Sequence, residues 1–378
     1  MSGTSATATT TMPQGKPASL PEMLQADVDR YLSEPGAAPG VAVAVVGLTT
    51  PIGSGLTLSG GSADLITGEP VTHDTRFCLG SVTKTFTAAL LGQATVTQDV
   101  QLEDSVVPYL QRLGVDLGAS VPLAEVRLVD LATHTAGMSD DAAGGGVPLF
   151  RDDSPVGTPL SSRWQTYGVP AEGLPAPWLY SNLGFVTLGF AVSGMFGRTS
   201  NDYVRLLGDH VCGPLKMSCT QPHPLIDRAV GYAWTSSPAQ PRQAVDEEPP
   251  DLWSTSRDLA TFLRAQLRDP TFPVPPELAT ALALTQADHG TFVVAGHPDT
   301  SMTMGLAWQR YADDGLVLRK NGALPGFTSD VQLEPDRGIG VAVLTNQSWQ
   351  PNPRPPRRCL PAALATTLLA RLRSASDL

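Results

Sequence analysis

The sequence predicts an α+β fold, an α/β sandwich whose antiparallel sheet is built from both chain ends and flanked by helices. Short β-branched apolar runs lie near the two ends, "GVAVAVVG" at 40–47 and "GIGVAVLTN" at 338–346. Such runs are typical of buried strands. The middle of the chain spaces its apolar residues as helices do, which predicts an inserted and mostly helical domain.

Length and apolar content bound the domain organisation. The chain has 378 residues, 42% of them hydrophobic, which allows two or three structural units and a sizeable core. We predict a flexible N-terminal tail over 1–21, an α/β domain over 22–98 and 285–378, and a helical domain with long loops over 99–284.

The individual elements follow from periodicity and turn residues. Helices are predicted where apolar residues recur every three or four positions, at 81–98, 125–137 with a glycine cap, 182–197, 200–211, 254–267 and about 360–373. Strands are predicted where short apolar segments lie between turn residues, at 40–47, 55–64, 302–310, 315–322, 328–335 and 338–346. The "PDRG" segment at 335–338 is typical of a hairpin turn.

Charge and composition exclude several classes of partner. The net charge is −11, and the only basic run is "RPPRR" at 354–358, so nucleic acid is not expected as a partner. No segment approaches 18 uninterrupted apolar residues, and the N-terminus lacks the pattern of a signal peptide. We therefore expect a cytoplasmic protein with no membrane partner. Its four cysteines have no CxxC spacing, so we expect reduced thiols and no cysteine metal site.

The segment "CLGSVTKTFT" at 78–87 contains one of the few lysines of the chain. Only four of the 25 basic residues are lysines, and Lys84 follows Ser81 by three positions. On a helix these two side chains share one face. Lysine can lose its proton when desolvated, whereas arginine does not, so Lys84 could activate a Ser81 nucleophile. One S-x-x-K match is expected by chance in a chain of this length, so the pair needs support elsewhere.

Two further motifs could supply that support. In "YSNLGF", Tyr180 could form a phenolate beside a lysine, and Asn182 offers an amide; the alternative is a plain turn with an asparagine N-cap. In "KNGALPGFTS", Lys320 and Gly322 could line a cleft wall, and the Ala323 amide could bind an oxyanion. The alternative there is a glycine-containing hairpin turn.

Other candidate sites are weak. The six histidines show no metal-binding spacing, and His134 in "THTAG" is expected to pack or to form a hydrogen bond. No G-x-S-x-G motif is present, which argues against an α/β-hydrolase triad, and the glycine clusters lack the ending of a phosphate loop.

Together the motifs Ser81-x-x-Lys84, Tyr180-x-Asn182 and Lys320-x-Gly322 resemble those of the serine β-lactamase-related, penicillin-binding-protein-like family. The order agrees with the class C-like branch, which includes esterases and D-aminopeptidases. The segments "LATHTAGM", "PLKM", "GYAW", "STSRDLATF" and "MGLAWQ" are similar to landmarks of that branch. The resemblance covers about residues 22–372 and implies a β-lactamase/transpeptidase-like fold.

The resemblance also implies roles for the site residues. Ser81 would be the nucleophile, while Lys84 and Tyr180 would share the general-base and general-acid roles. Asn182 would orient the substrate, Lys320 would line the pocket with Gly322, and the amides of Ser81 and Ala323 would form the oxyanion hole. Asn321 stands where the lactamase motif has a threonine that helps to bind the lactam carboxylate, which argues against efficient β-lactamase activity.

The main hypothesis is a serine enzyme that forms an acyl-enzyme from an ester or activated amide. It would pass the acyl group to water, as an esterase, or to an amine or alcohol, as a transacylase that needs no ATP and no metal or organic cofactor. Its partners would be a small-molecule acyl donor and acceptor, with the pocket shaped by the Gly/Pro/Ser-rich stretch at about 141–178. The arginine-, alanine-, glycine- and proline-rich composition suggests a GC-rich bacterium and a role in secondary-metabolite synthesis, such as that of antibiotics.

The sequence leaves two alternatives to this hypothesis. The same chemistry could serve a D-amino-acid peptidase or a weak β-lactamase, with Lys320 pairing with a substrate carboxylate. A non-catalytic binding module on the same fold is the other. The oligomeric state cannot be inferred from the sequence.

Overall fold

The structure of the protein is a computed structural model. It describes residues 18–115, 117, 123–138, 173–222, 224, 226–233, 244, 251–310, 316–348 and 357–377. Most of the predicted tail and of the long loop at 141–178 therefore lies outside the described residues.

An eight-stranded sheet forms the centre of the fold, with all its pairings antiparallel. Its order is β2-β1-β12-β11-β10-β9-β8-β7. The strands are β1 (Gly40–Gly47), β2 (Gly53–Gly61), β7 (Thr291–Val294), β8 (His297–Met304), β9 (Gln309–Arg310), β10 (Leu318–Leu324), β11 (Phe327–Glu334) and β12 (Ile339–Thr345). The N-terminal strands thus pair with a C-terminal strand, β1 with β12, and the predicted α+β class is confirmed.

Two small sheets connect this centre to the rest of the chain. One has the order β3-β6-β4, and β13 pairs with β5 in the other. Their strands are β3 (Phe77–Cys78), β4 (Gln221–Pro222), β5 (Tyr232–Ala233), β6 (Leu252–Ser254) and β13 (Gln347–Ser348). The β3 strand leads directly into the segment that carries Ser81.

Helices cover both faces of the central sheet. The described α-helices are α1 (Leu20–Ser33), α2 (Thr83–Thr97), α3 (Val107–Arg112), α4 (Leu128–Ala132), α5 (Asn182–Met195), α6 (Tyr203–Leu207), α7 (Ser256–Gln266), α8 (Pro276–Gln286) and α9 (Pro361–Ser376). Alternate side chains of β1 divide between two cores. Val41, Val43 and Val45 pack with α1 and α9, while Ala42 and Ala44 join the core that contains α2, α5 and α7.

Several element bounds differ from the prediction. The helix predicted at 125–137 ends much earlier, at Ala132, so its predicted glycine cap is wrong. The reason is that His134, two residues further on, adopts the left-handed conformation with φ of 61°, a position after a helix end that glycine usually takes. Helix α1 begins at Leu20, inside the predicted tail, and α8 and β7 were not predicted. The predicted domain boundaries stay a prediction.

The "PDRG" hairpin is confirmed, since Pro335–Arg337 and Gly338 join the antiparallel strands β11 and β12. None of the helices in the described ranges combines the length and the apolar character needed to cross a bilayer.

Candidate active site

Ser81 lies in a tight turn between β3 and α2. Gly80 adopts a left-handed φ of 53°, and a short 3-10 helix, Gly80–Val82, then leads into α2. A Cβ atom on Gly80 would stand 2.8 Å from the Ala323 amide nitrogen, so the turn lies directly against β10. Ser81 keeps accessible surface at this point, as a side chain that meets a substrate must.

Lys84 follows on the first turn of α2 and contacts Ser81 as the i, i+3 spacing predicts. Its Nζ donates to Ser81 Oγ at 3.1 Å and to Asn182 Oδ1 at 2.8 Å. The same Nζ lies 5.2 Å from the centre of the Tyr180 ring. The first two sequence motifs therefore meet at one lysine.

Tyr180 completes this contact from an irregular segment that precedes α5. Its hydroxyl donates to Ser81 Oγ at 2.7 Å. The N-cap of α5 is Ser181, whose side chain accepts from the Gly184 amide at 2.9 Å. The alternative interpretation, an N-cap asparagine, is therefore wrong in its residue: Ser181 caps α5, and the Asn182 side-chain oxygen accepts from Lys84.

Lys320 approaches the same tyrosine from the sheet. It is only 1% exposed, and its Nζ lies 5.0 Å from the centre of the Tyr180 ring. The Nζ also donates to the Asn321 carbonyl at 3.3 Å. Gly322 pairs with Ser329 within the β10–β11 ladder, so it lies in the strand, and the hairpin turn falls after Leu324. The glycine-containing hairpin of the alternative is present in this segment, with its turn at 325–326 and Gly326 at a φ of 81°, but residues 320–322 lie in the strand that precedes the turn.

Gly322 permits the closest approach of β10 to the Ser81 turn. A Cβ atom there would stand 2.0 Å from the Leu79 carbonyl oxygen and 2.9 Å from the Ser81 amide nitrogen. Ser329, its partner on β11, donates to the same Leu79 carbonyl at 2.7 Å. Only glycine fits between these backbones, which brings β10 and its Ala323 amide against the turn that carries Ser81.

The two lysines set the electrostatics around Tyr180. Burial raises the pKa of its phenol, but the nearby charges of Lys320 and Lys84 and the hydrogen bond to Ser81 together lower that pKa to about 8. Burial in turn lowers the pKa of Lys320, and the opposite charge of a Tyr180 phenolate raises it. Tyr180 can therefore ionise near neutral pH. The phenolate oxygen would lie 2.7 Å from Ser81 Oγ.

Two residues near the site were not assigned a functional role from sequence. His134 is buried against the Tyr180 ring, with centroids 4.5 Å apart. Asp251 precedes β6 and accepts from the Thr83 hydroxyl, next to Lys84 on α2, at 2.5 Å. Neither has a spacing motif that could have identified it, because its contacts join segments far apart in the chain.

The fold and these contacts define a serine hydrolase-type enzyme with a β-lactamase/transpeptidase fold. The sequence model of the Beta-lactamase family matches residues 28–363, and the chain belongs to that family.

Individual relatives from this family are similar to the chain over most of its length. A β-lactamase of Yersinia enterocolitica is 28% identical over 332 residues, which cover 78% of this chain and 79% of the relative. Penicillin-binding protein 4 of Amycolatopsis lactamdurans is 27% identical, over 82% of this chain and 81% of its own. The crystal structure of a β-lactamase/D-alanine carboxypeptidase from Pseudomonas syringae superposes with a TM-score of 0.71 at 21% identity, covering 94% of this chain and 99% of that one.

Within the described part of the chain, no group of three or more His, Cys, Asp or Glu side chains is placed to hold a metal ion. Independence from metal and organic cofactors remains a prediction.

Proposed function

We propose that Ser81 is an acyl-forming nucleophile and that the enzyme transfers an acyl group from an ester or activated amide to an amine, an alcohol or water. The observation that carries this proposal is the shared contact at Ser81 Oγ, which lies 2.7 Å from the Tyr180 hydroxyl and 3.1 Å from Lys84 Nζ. A serine with two such neighbours can be deprotonated as it attacks.

In the proposed first step, Ser81 Oγ bonds to the substrate carbonyl carbon while its proton passes to the Tyr180 phenolate. The Ser81 and Ala323 amides stabilise the oxyanion that forms. As the bond to the leaving group breaks, Tyr180 returns the proton to the departing atom. The products of this step are the free leaving group and an ester of Ser81.

The second step reverses these roles. An acceptor N–H or O–H gives its proton to Tyr180 while its heteroatom bonds to the acyl carbon. The bond from that carbon to Ser81 Oγ then breaks as Tyr180 returns the proton to Ser81 Oγ, which restores the serine hydroxyl and the phenolate. Lys84 and Lys320 keep the phenolate form accessible throughout, and Asn182 orients Lys84 and the substrate. No ATP and no cofactor enter these steps.

Asn321 supports an ester over a lactam as the preferred donor, because it provides an amide where the lactamase motif has a hydroxyl. The four free cysteines, three of them buried, support a reducing compartment, and we propose a cytoplasmic enzyme. Small acyl donors and acceptors, including precursors of secondary metabolites, are the proposed partners.

A second candidate is hydrolysis of a β-lactam or a D-amino-acid peptide. It is favoured by the relatives, which carry the names β-lactamase, penicillin-binding protein and D-alanine carboxypeptidase. In that case Lys320 would face a substrate carboxylate.

The experiment compares a short-chain p-nitrophenyl ester, nitrocefin and a D-alanyl dipeptide as substrates of the wild-type enzyme. Rapid nitrophenol release with slow nitrocefin turnover supports the acyl-transfer proposal. The decay of the acyl-enzyme, measured by intact-protein mass spectrometry, then distinguishes water from an amine as the acceptor. An added amine shortens the lifetime of the acyl-enzyme only in a transacylase. Efficient nitrocefin or dipeptide hydrolysis without ester turnover would favour the second candidate.

A further inference from the structure

The backbone on both sides of Tyr180 is held by one residue. The Leu179 amide donates to the main-chain carbonyl of His134 at 3.0 Å, and the Ser181 amide donates to its Nδ1 at 3.1 Å. The residues before and after the tyrosine are thus fixed to the same histidine, 47 positions away from Ser181 in the chain.

The backbone of His134 makes this double contact possible. Its φ of 61° turns the chain sharply after α4. Its main-chain carbonyl and its ring therefore both face the segment that carries Tyr180. The next residue extends the contact, since the Ala176 amide donates to the Thr135 carbonyl at 2.8 Å. A positive φ is uncommon outside glycine, and histidine is, with asparagine and aspartate, one of the residues that adopt it most often.

The ring of His134 is held as a neutral acceptor. Because Nδ1 accepts the Ser181 N–H, the proton of the neutral ring is on Nε2, which has no hydrogen-bond partner among the described residues. Burial lowers the pKa of His134 well below its ordinary value, and the charges of Lys320 and Lys84 lower it further. Protonation at Nδ1 would break the Ser181 bond and add a third cation beside Tyr180.

We propose that His134 is the positioning residue for Tyr180, holding the phenol over Ser81 through Nδ1 and its main-chain carbonyl. The inference rests on the proposed catalytic role of Tyr180. A histidine that only filled space would not need an acceptor at Nδ1. The ring also packs at 4.9 Å from Phe185 and 5.9 Å from Trp178, so packing and hydrogen bonding have to be separated by experiment.

Two substitutions separate these contributions. His134→Asn keeps an acceptor, since Oδ1 takes nearly the place of Nδ1, and asparagine tolerates a positive φ. His134→Gly also accepts that backbone conformation and keeps the carbonyl that binds Leu179, but it has no side-chain acceptor. Circular dichroism and thermal unfolding report the folded fraction of each variant.

The first readout is the pH titration of Tyr180, followed as tyrosinate absorbance with Tyr180→Phe as the blank. The wild-type midpoint is expected at about 8. The asparagine variant should keep that midpoint, and the glycine variant should shift it upward, toward ~10, as the phenol moves away from the lysines. The second readout is ester turnover per folded enzyme, with kcat lower by about 10- to 100-fold in the glycine variant and KM little changed.

Equal titrations and equal turnover in the two variants would overturn the proposal, and so would a glycine variant that matches the wild type. If the glycine variant does not fold, His134→Gln replaces it, because its amide lies one bond further out and cannot reach Ser181 in the same way. The titration needs no substrate. A shifted midpoint in an enzyme without ester turnover would therefore support the positioning role and reject the proposed function.

Discussion

The Ser81 side and the Tyr180 side of the site are held by different kinds of contact. Ser81 and Lys84 are three residues apart, and the local geometry of the α2 start brings them together. Tyr180 lies in an irregular segment, fixed by hydrogen bonds to His134 and, through Trp178, to Val293 on β7. The Ser81–Lys84 pairing therefore depends on local structure, and the position of Tyr180 depends on long-range contacts.

This difference predicts which property a substitution on each side of the site should change. Removal of the Ser81 hydroxyl should abolish chemistry and leave the fold intact, because the Ser81 side chain is partly exposed and contributes little to packing. A change in the contacts around Tyr180 should reduce the rate through its position or its pKa.

Removal of the nucleophile should have the largest effect. Ser81→Ala is expected to lower ester turnover by at least about 10⁴-fold, since the remaining site can only polarise the substrate. Thermal unfolding should be almost unchanged. Turnover within tenfold of the wild type would place the nucleophile elsewhere.

A substitution that separates β10 from the Ser81 turn at Gly322 should have the second-largest effect. In Gly322→Ala the new methyl would meet the Leu79 carbonyl at 2.0 Å, so β10 and the Ser81 turn must separate. We expect a loss of about 10²-fold in kcat from the misplaced oxyanion donors. The overpacking should also lower the free energy of unfolding by about 1–3 kcal/mol.

The matched control is Gly208→Ala, because Gly208 has an ordinary backbone conformation and open space around its Cα. It should leave steady-state kinetics unchanged and should not lower the unfolding midpoint, because alanine is at least as favourable as glycine in this helical segment. Equal effects of the two alanines would show that the approach of β10 is unimportant.

The charge of Lys320 should set the position of the pH profile. In the proposed mechanism the phenolate of Tyr180 is the active form, so kcat/KM should rise with pH and level off above about 8. Lys320→Met removes the lysine that lowers this pKa most, so the rise should move to higher pH. If the pKa of Tyr180 rises by about 1, the phenolate fraction at neutral pH falls about tenfold. Lys216→Met, at an exposed lysine, is the control and should leave the profile in place.

A substitution of Asp330 should change the pH dependence of stability and have little effect on turnover. It lies on β11, 5% exposed, and burial raises its pKa to about 6 despite a hydrogen bond from Gln332. Between about pH 4 and 6 the folded protein then holds a proton that the unfolded chain has released. Stability should therefore fall as pH rises through this window, by up to about 2–3 kcal/mol.

In Asp330→Asn this loss should be absent from urea unfolding curves recorded at several pH values, with turnover near that of the wild type. The exposed Asp336→Asn is the matched control and should keep the wild-type slope. A variant with unchanged pH dependence would show that Asp330 ionises freely in the folded state.

The same division explains how much of the site could be predicted. The Ser81–Lys84 contact follows from i, i+3 spacing, and the order of the three motifs identified Tyr180 and Lys320 through the family resemblance. His134 could not be assigned this way, because its role depends on a left-handed residue after α4 and on bonds to amides more than 40 positions away. Hydrophobic periodicity carries no information about such bonds.

In the fold, strands β1, β2, β10, β11 and β12 of the central sheet were predictable because their apolar runs are short and bounded by turn residues, whereas β7 was not predicted. The start of helix α1 also has a signal in the sequence, although the prediction placed it in the tail, since Ser19 and Glu22 form a capping box before apolar residues at helical spacing. The early end of α4 was not predictable, because its last turns are replaced by tertiary hydrogen bonds around His134 and Thr135.

The most direct test of the account is the location of the acyl group after mixing with a short-chain p-nitrophenyl ester. Wild-type enzyme is quenched in acid at several pH values and digested, and the acylated peptide is identified by mass spectrometry. A single adduct on Ser81 is expected, formed faster as pH rises toward about 8, with the pH dependence lost in Tyr180→Phe. An adduct on another residue, or a pH dependence that survives in Tyr180→Phe, would contradict the proposed mechanism.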